Sequence, residues 1–410
     1  MTLPLLALCA FAAMACDGGP TPTLAAAQDT SLVISADPAL RSQVAALLPG
    51  LADRAGLELH DPVRVEWRTR AELESYLRVK VDEELPEEEA TRIVRSYALL
   101  GLVPTGLDLR AVLLDLYLEQ VAGFYDPDST ALWVLDDQPA EAVETVLLHE
   151  LVHAVQDQAA PLDSITGKEL GSDRRTAAQA AIEGHATLVM LEAMFEEMSG
   201  QPLDLSELPD IAATLGPTLE AARSQYPALA SVPRIFQESL LFPYIVGAGF
   251  VLELWTAVEG RPAPFGDRLP ESTEQILHPE RFLGANPDPP IALTLTGDEP
   301  IEYEEQMGEL GLRVFAQEQL DDSTGVLADG WGGDAFALQS GGVGEGITWV
   351  VVWDSAAARD RFVAAVGRSD WSRATGARIE PLVVEGLPAS VMSVGSRRTV
   401  RVTVGGVTPP

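Results

Sequence analysis

An α+β fold, with a mixed sheet, a helical layer and then a small α+β module, is predicted by three observations. Alternating apolar residues at Val63, Val65 and Trp67, and two short apolar runs flanking Asp126-Pro127-Asp128-Ser129, mark strands in the first third of the chain. From Glu141 to about Val258 the apolar residues recur at helical spacing. Beyond Pro300 strand-like runs return around one clear helix. The 410 residues are 47% apolar, enough to bury a core, and 62 acidic against 27 basic side chains leave a net charge of -35. With no Lys/Arg block, such a surface is repelled by phosphate backbones and anionic membranes, which excludes nucleic acid as a partner.

Residues 1–16 are almost wholly apolar and end in mostly small residues, the outline of a signal peptide, and are shorter than the roughly 20 residues needed to span a bilayer. Both cysteines, Cys9 and Cys16, lie here, so the chain beyond them has no disulfide. Small residues directly before Cys16 resemble a bacterial lipoprotein processing site. Lipidation at Cys16 would make residues 17–30 a polar tether and the lipid the only membrane attachment, a cell-envelope lipoprotein. Simple cleavage and secretion is the alternative, and both place the protein outside the cytoplasm.

In the mature chain, helical patterns are predicted at 38–55, 71–81, 86–100 and 107–119, with a strand at 63–67 after the first and a β-hairpin over 121–135. The helical run that follows is punctuated by prolines, Pro243 among them, and a Pro-rich connector spans 262–300. The domain boundary falls near its end, giving a main domain of 31–305 and a module of 306–410. In the module, 331–340, 348–353 and 379–404 read as strands and 355–366 as a helix. Gly330-Trp331-Gly332-Gly333-Asp334 reads as a structural turn, because it lacks the Lys and following helix of a phosphate loop.

The chemistry concentrates in His149-Glu150-Leu151-Val152-His153, an HExxH sequence inside the helical run 142–156. At about 100° per residue, positions four apart share one face, so the two imidazoles can chelate a single metal. Glu150 lies about 100° further round, close enough to act on a water without becoming a ligand. A catalytic zinc site needs a third protein ligand and an open position. A third histidine six residues after His153 is excluded, because Ala159 stands there. In the second helical stretch, 175–198, Glu183 and His185 compete and point about 200° apart, so only one faces the first helix. Small residues flank Glu183 and a more apolar face surrounds His185, and packing alone does not settle the choice.

LLHELVHAVQDQ and IEGHA resemble the short bacterial and archaeal branches of the gluzincin superfamily of zinc metallopeptidases, over roughly 123–258. That resemblance implies a zincin-like core, Zn2+ held by His149, His153 and Glu183, Glu150 as general base, and a peptide or protein substrate. It also places a Tyr or His as oxyanion donor, for which Tyr244 and His278 are the candidates. The Asp that often follows the glutamate ligand by four residues is here Thr187. The alternative is a zinc-binding surface or adhesion module that no longer cleaves peptides. The hairpin over 121–135 is placed to offer an edge to which a peptide adds as a strand. Nothing in the sequence fixes an oligomeric state.

Overall fold

The structure, a computed structural model, describes residues 30–203, 205, 226–341, 344–396 and 400–405. The signal segment with Cys16 and all but the last residue of the tether lie outside the described residues. At 54% helix and 19% strand the fold is α+β.

The described residues open with a 3-10 turn (Thr30–Leu32) and β1 (Val33–Ile34), then α1 (Pro38–Arg54), which starts where Asp37 accepts hydrogen bonds from the amides of Ala39 and Leu40. After β2 (Val63–Arg68) a reciprocal Thr69–Glu72 cap starts α2 (Arg70–Glu84), and α3 (Glu87–Leu99) and α4 (Leu109–Gln120) follow. The hairpin is β3 (Gly123–Asp126) and β4 (Ala131–Leu135). These four strands form one sheet in the order β1-β2-β4-β3, parallel except for the β3/β4 pair, so β3 is an edge. The HExxH helix, α5 (Ala140–Ala159), runs directly against that edge. Gly123 permits this approach, since a Cβ there would sit 2.4 Å from Val146 Cγ1 of α5.

After the single turn α6 (Leu162–Ile165) comes α7 (Ser172–Ser199), buried over most of its length. Beyond α8 (Pro227–Ser231), α9 (Arg234–Ala257) packs along α7. Their crossing is backbone on backbone: a Cβ on Gly184 would fall 2.2 Å from the Gly247 carbonyl carbon, and one on Gly247 would fall 2.0 Å from the Ala180 oxygen. Pro243, which reads as a break in the sequence, lies inside α9. A mid-helix proline costs about 3 kcal/mol. Burial of Phe242, Tyr244, Phe250 and Val251 along the same helix offsets that. α9 is long and apolar enough to cross a membrane, and 56% of its apolar window is buried in this protein, so packing accounts for much of that apolarity.

Short helices α10 (Thr273–Leu277) and α11 (Glu280–Leu283) lead to β5 (Leu293–Gly297), β6 (Tyr303–Glu305) and α12 (Gly308–Leu320). Then come β7 (Trp331–Gly341), β8 (Gly344–Trp353), α13 (Ala356–Arg368), α14 (Asp370–Thr375), β9 (Arg378–Val384), β10 (Leu387–Gly395) and β11 (Val400–Val404). Five strands make an antiparallel sheet ordered β6-β7-β8-β10-β9, and β5 pairs with β11.

Two strands of this half, β5 and β6, therefore lie before residue 306, inside or just past the Pro-rich connector. The connector's prolines conceal them, because the strands are only five and three residues long. The Gly-rich segment is a turn only at Gly330; from Trp331 it is the bulged start of β7. The halves share an interior, although the C-terminal half also has a small apolar cluster of its own around Leu295, Ala337, Val350 and Ala389. One apolar cluster runs from Val33 through Leu151 and Phe250 to Trp349 and Phe362. At the junction the buried Asp334 carboxylate accepts four N–H groups, from Met307 (2.9 Å), Gly308 (3.0 Å) and the indoles of Trp331 (3.1 Å) and Trp349 (2.8 Å).

Candidate metal centre

His149 and His153 project from one face of α5 and meet Glu183 of α7. His149 Nε2 lies 3.0 Å from Glu183 Oε2, His153 Nε2 lies 3.2 Å from the same oxygen, and the two nitrogens are 3.1 Å apart. All three side chains are buried. For a tetrahedral ion with ligands at about 2.0–2.1 Å, donor atoms sit about 3.3 Å from one another. The observed triangle therefore has the size that one such ion needs, and the residues fit.

The electrostatics agree. Burial works against charge on every member, yet the two imidazoles hold the Glu183 carboxyl well below its ordinary range, so it stays ionised. Burial would lower His153, but Glu183, Glu150 and Gln156 together push it up, whereas burial prevails at His149 and lowers it. A buried anion facing two imidazole nitrogens is a site for a cation, which is either a proton on His153 or a metal in its place.

Glu150 stands beside this triangle without joining it. Its Oε2 accepts the Tyr125 N–H at 2.8 Å, and its Oε1, fully buried, has no hydrogen-bond partner. Leu135 N–H donates to the Ala122 carbonyl, so by the alternation of an antiparallel pair Tyr125 N–H points away from β4, where Glu150 of α5 takes it up. Burial pushes the Glu150 carboxyl up to about 8. The Tyr125 hydroxyl donates to Asp157 Oδ2 (2.8 Å), tying the edge strand to the end of α5.

Of the other residues singled out in the sequence, Tyr244 is brought to the centre, its ring centroid 6.1 Å from that of His149. The Gly184–Gly247 crossing achieves this, since Tyr244 sits three residues before Gly247 on α9. His278 goes elsewhere: its ring pairs with Glu309 (3.1 Å) and Arg313 (3.1 Å), neither of them part of the centre. His185 stays out of the triangle, edge-on to Trp255, but it too reaches α5, through Nδ1 bonded to Gln156, so the expectation that only one of the pair faces that helix does not hold. Thr187 is buried with its hydroxyl unpartnered.

Two further groups of converging donor atoms, His278–Glu309–Asp329 and Glu274–Asp288–Asp354, already hold a cation. Arg313 lies 2.8 Å from Glu309 in the first, and a single nitrogen of Arg281 lies within 2.9 Å of all three carboxylates in the second. The triangle on α5 and α7 has no such guanidinium among the described residues. Sequence reasoning passed over Gln156, Tyr125 and Gly123. The first was detectable, because it stands three residues after His153 on the same helix face.

Residues 299–406 match a family described as a domain of unknown function, DUF8575. No curated protein and no solved structure matches the chain.

Proposed function

We propose that the protein is a zinc-dependent peptidase of gluzincin type, acting on peptide or protein substrates outside the cytoplasm. The observation that carries this reading is the division within Glu150: one oxygen is anchored by Tyr125 N–H, and the other is buried and unpartnered beside three converging donor atoms. Two imidazoles and a carboxylate are a donor set suited to zinc, with a position left open for chemistry. The sheet edge, the HExxH helix against it and the next long helix bearing the carboxylate support a zincin-like core.

Zinc, when bound, supplies a Lewis acid that polarises the carbonyl under attack and acidifies water. Glu150 accepts a proton at Oε1 and passes it to the leaving amine, while Tyr125 N–H holds Oε2 and so fixes the carboxylate's direction. Tyr244, whose ring lies beside that of His149, is the nearer of the two oxyanion-donor candidates. Export rests on residues 1–16, and a lipid on Cys16 would hold the enzyme at the cell envelope.

The test compares wild type with Glu150→Gln. Both should retain one zinc per chain by elemental analysis, and the variant should lose hydrolysis of unfolded casein by a factor of about 100 or more. Unchanged turnover in the variant overturns Glu150 as the base. Full zinc in a wild type that cleaves no peptide moves the protein to the adhesion-module reading.

A further inference from the structure

We infer that Gln156 is the positioning residue of the metal centre, fixing which nitrogen of His153 faces the metal, and that His185 completes the relay. This rests on the metal reading of the site and is independent of peptidase activity. The side chain of Gln156 is wholly buried, and both ends of its amide are engaged. Nε2 donates to the Ile182 carbonyl (3.1 Å) and faces His185 Nδ1 (2.9 Å), while Oε1 faces His153 Nδ1 (2.8 Å).

The orientation of that amide follows from chemistry. A backbone carbonyl only accepts, so the end facing Ile182 is the NH2 end and the end facing His153 is the oxygen. The oxygen in turn requires a proton on His153 Nδ1. Nε2, the nitrogen 3.1 Å from His149 Nε2 and 3.2 Å from Glu183, then presents its lone pair to the triangle. The second hydrogen of the NH2 group requires an unprotonated Nδ1 on His185, which leaves that ring's proton on Nε2. His185 is thereby held in one tautomer with its Nδ1 committed to Gln156.

The arrangement ties the two helices that supply the ligands. Gln156 and His153 are on α5, and Ile182 and His185 flank Glu183 on α7, so one amide sets both the tautomer of a ligand and the spacing to the carboxylate. Thr187, buried with its hydroxyl unpartnered, takes no part in this arrangement.

The experiment measures zinc affinity of the full chain by chelator competition. Gln156→Met, close in shape and unable to accept the His153 proton, should weaken zinc by about 10–100-fold. Gln156→Glu, which keeps the acceptor for His153 but loses the donor to Ile182 and His185, should weaken zinc less than Gln156→Met does. Wild-type affinity in Gln156→Met, or an equal loss in both variants, overturns the inference. Should Gln156→Met fail to fold, nitrogen-15 spectra of histidine-labelled wild type decide. Protons on His153 Nδ1 and His185 Nε2 support the relay, and a proton on His185 Nδ1 overturns it. A wild type that takes up no zinc refutes the metal reading, while the tautomers still judge the relay.

Discussion

Replacing Asp173 by Asn should change how stability depends on pH, by an amount the structure allows to be worked out. Asp173 lies in the first turn of α7, fully buried at the junction with the C-terminal half. Its Oδ1 accepts from Thr273 Oγ1 (2.6 Å) and Thr273 N (3.2 Å), and it packs so closely on Gly308 that a Cβ there would lie 1.8 Å away. Burial pushes its carboxyl up from 3.8 to about 7; the two Thr273 donors pull against this, and the charges of Asp334 and Glu309 add to it. A raised carboxyl pKa means the folded state holds the proton more tightly. This contribution to stability is fully present below pH 3.8 and is lost as pH rises through about 7. At 1.36 kcal/mol per unit the whole span is about 4 kcal/mol, of which about 3 falls between pH 5 and pH 8. Asn keeps the Oδ1 acceptor and does not titrate. Urea unfolding of the full chain, followed by circular dichroism, should therefore show Asp173→Asn gaining about 3 kcal/mol on wild type from pH 5 to pH 8. A difference that stays flat across that range would refute a protonated, buried Asp173.

Glu183→Ala should lower zinc affinity by more than the roughly 10–100-fold that follows loss of an outer partner, and His185→Ala by no more than that; chelator competition gives the ranking, and its reversal would make His185 the ligand. Gly247→Ala should cost about 1–3 kcal/mol or more, because the added methyl meets the Ala180 carbonyl and must part α7 from α9. An unchanged melting temperature would mean that the two helices do not cross at backbone contact.

What the sequence made legible follows the range of the physics involved. The pairing of His149 with His153 is a matter of helical pitch within one turn, and the edge strand is announced by a local turn, so both could be read without knowing the rest. Choosing Glu183 over His185 needs the direction from which α5 arrives, and the one-dimensional pattern left only flanking residue size to argue from. His278 was misjudged for the same reason: its partners, Glu309 and Arg313, stand more than thirty residues further along on α12. That helix itself went unread, because its first four residues, Gly308-Glu309-Leu310-Gly311, carry two glycines that interrupt the helical pattern. Pro243 misled because a proline's cost is local, while the burial that offsets it is tertiary.

The common interior of the two halves bears on how such a chain can be divided or recombined. The matched family begins at residue 299, yet a cut there would part β5 from β11, Arg95 from Glu302 and Glu345, and Arg281 from Asp354. It would also open to water the face on which Phe236 meets Tyr97 and Tyr97 meets Phe336. In this chain, then, the C-terminal half leans on Arg95, Asp173 and Arg281, three residues that the matched segment does not itself contain, so a change at any of them is felt across the junction.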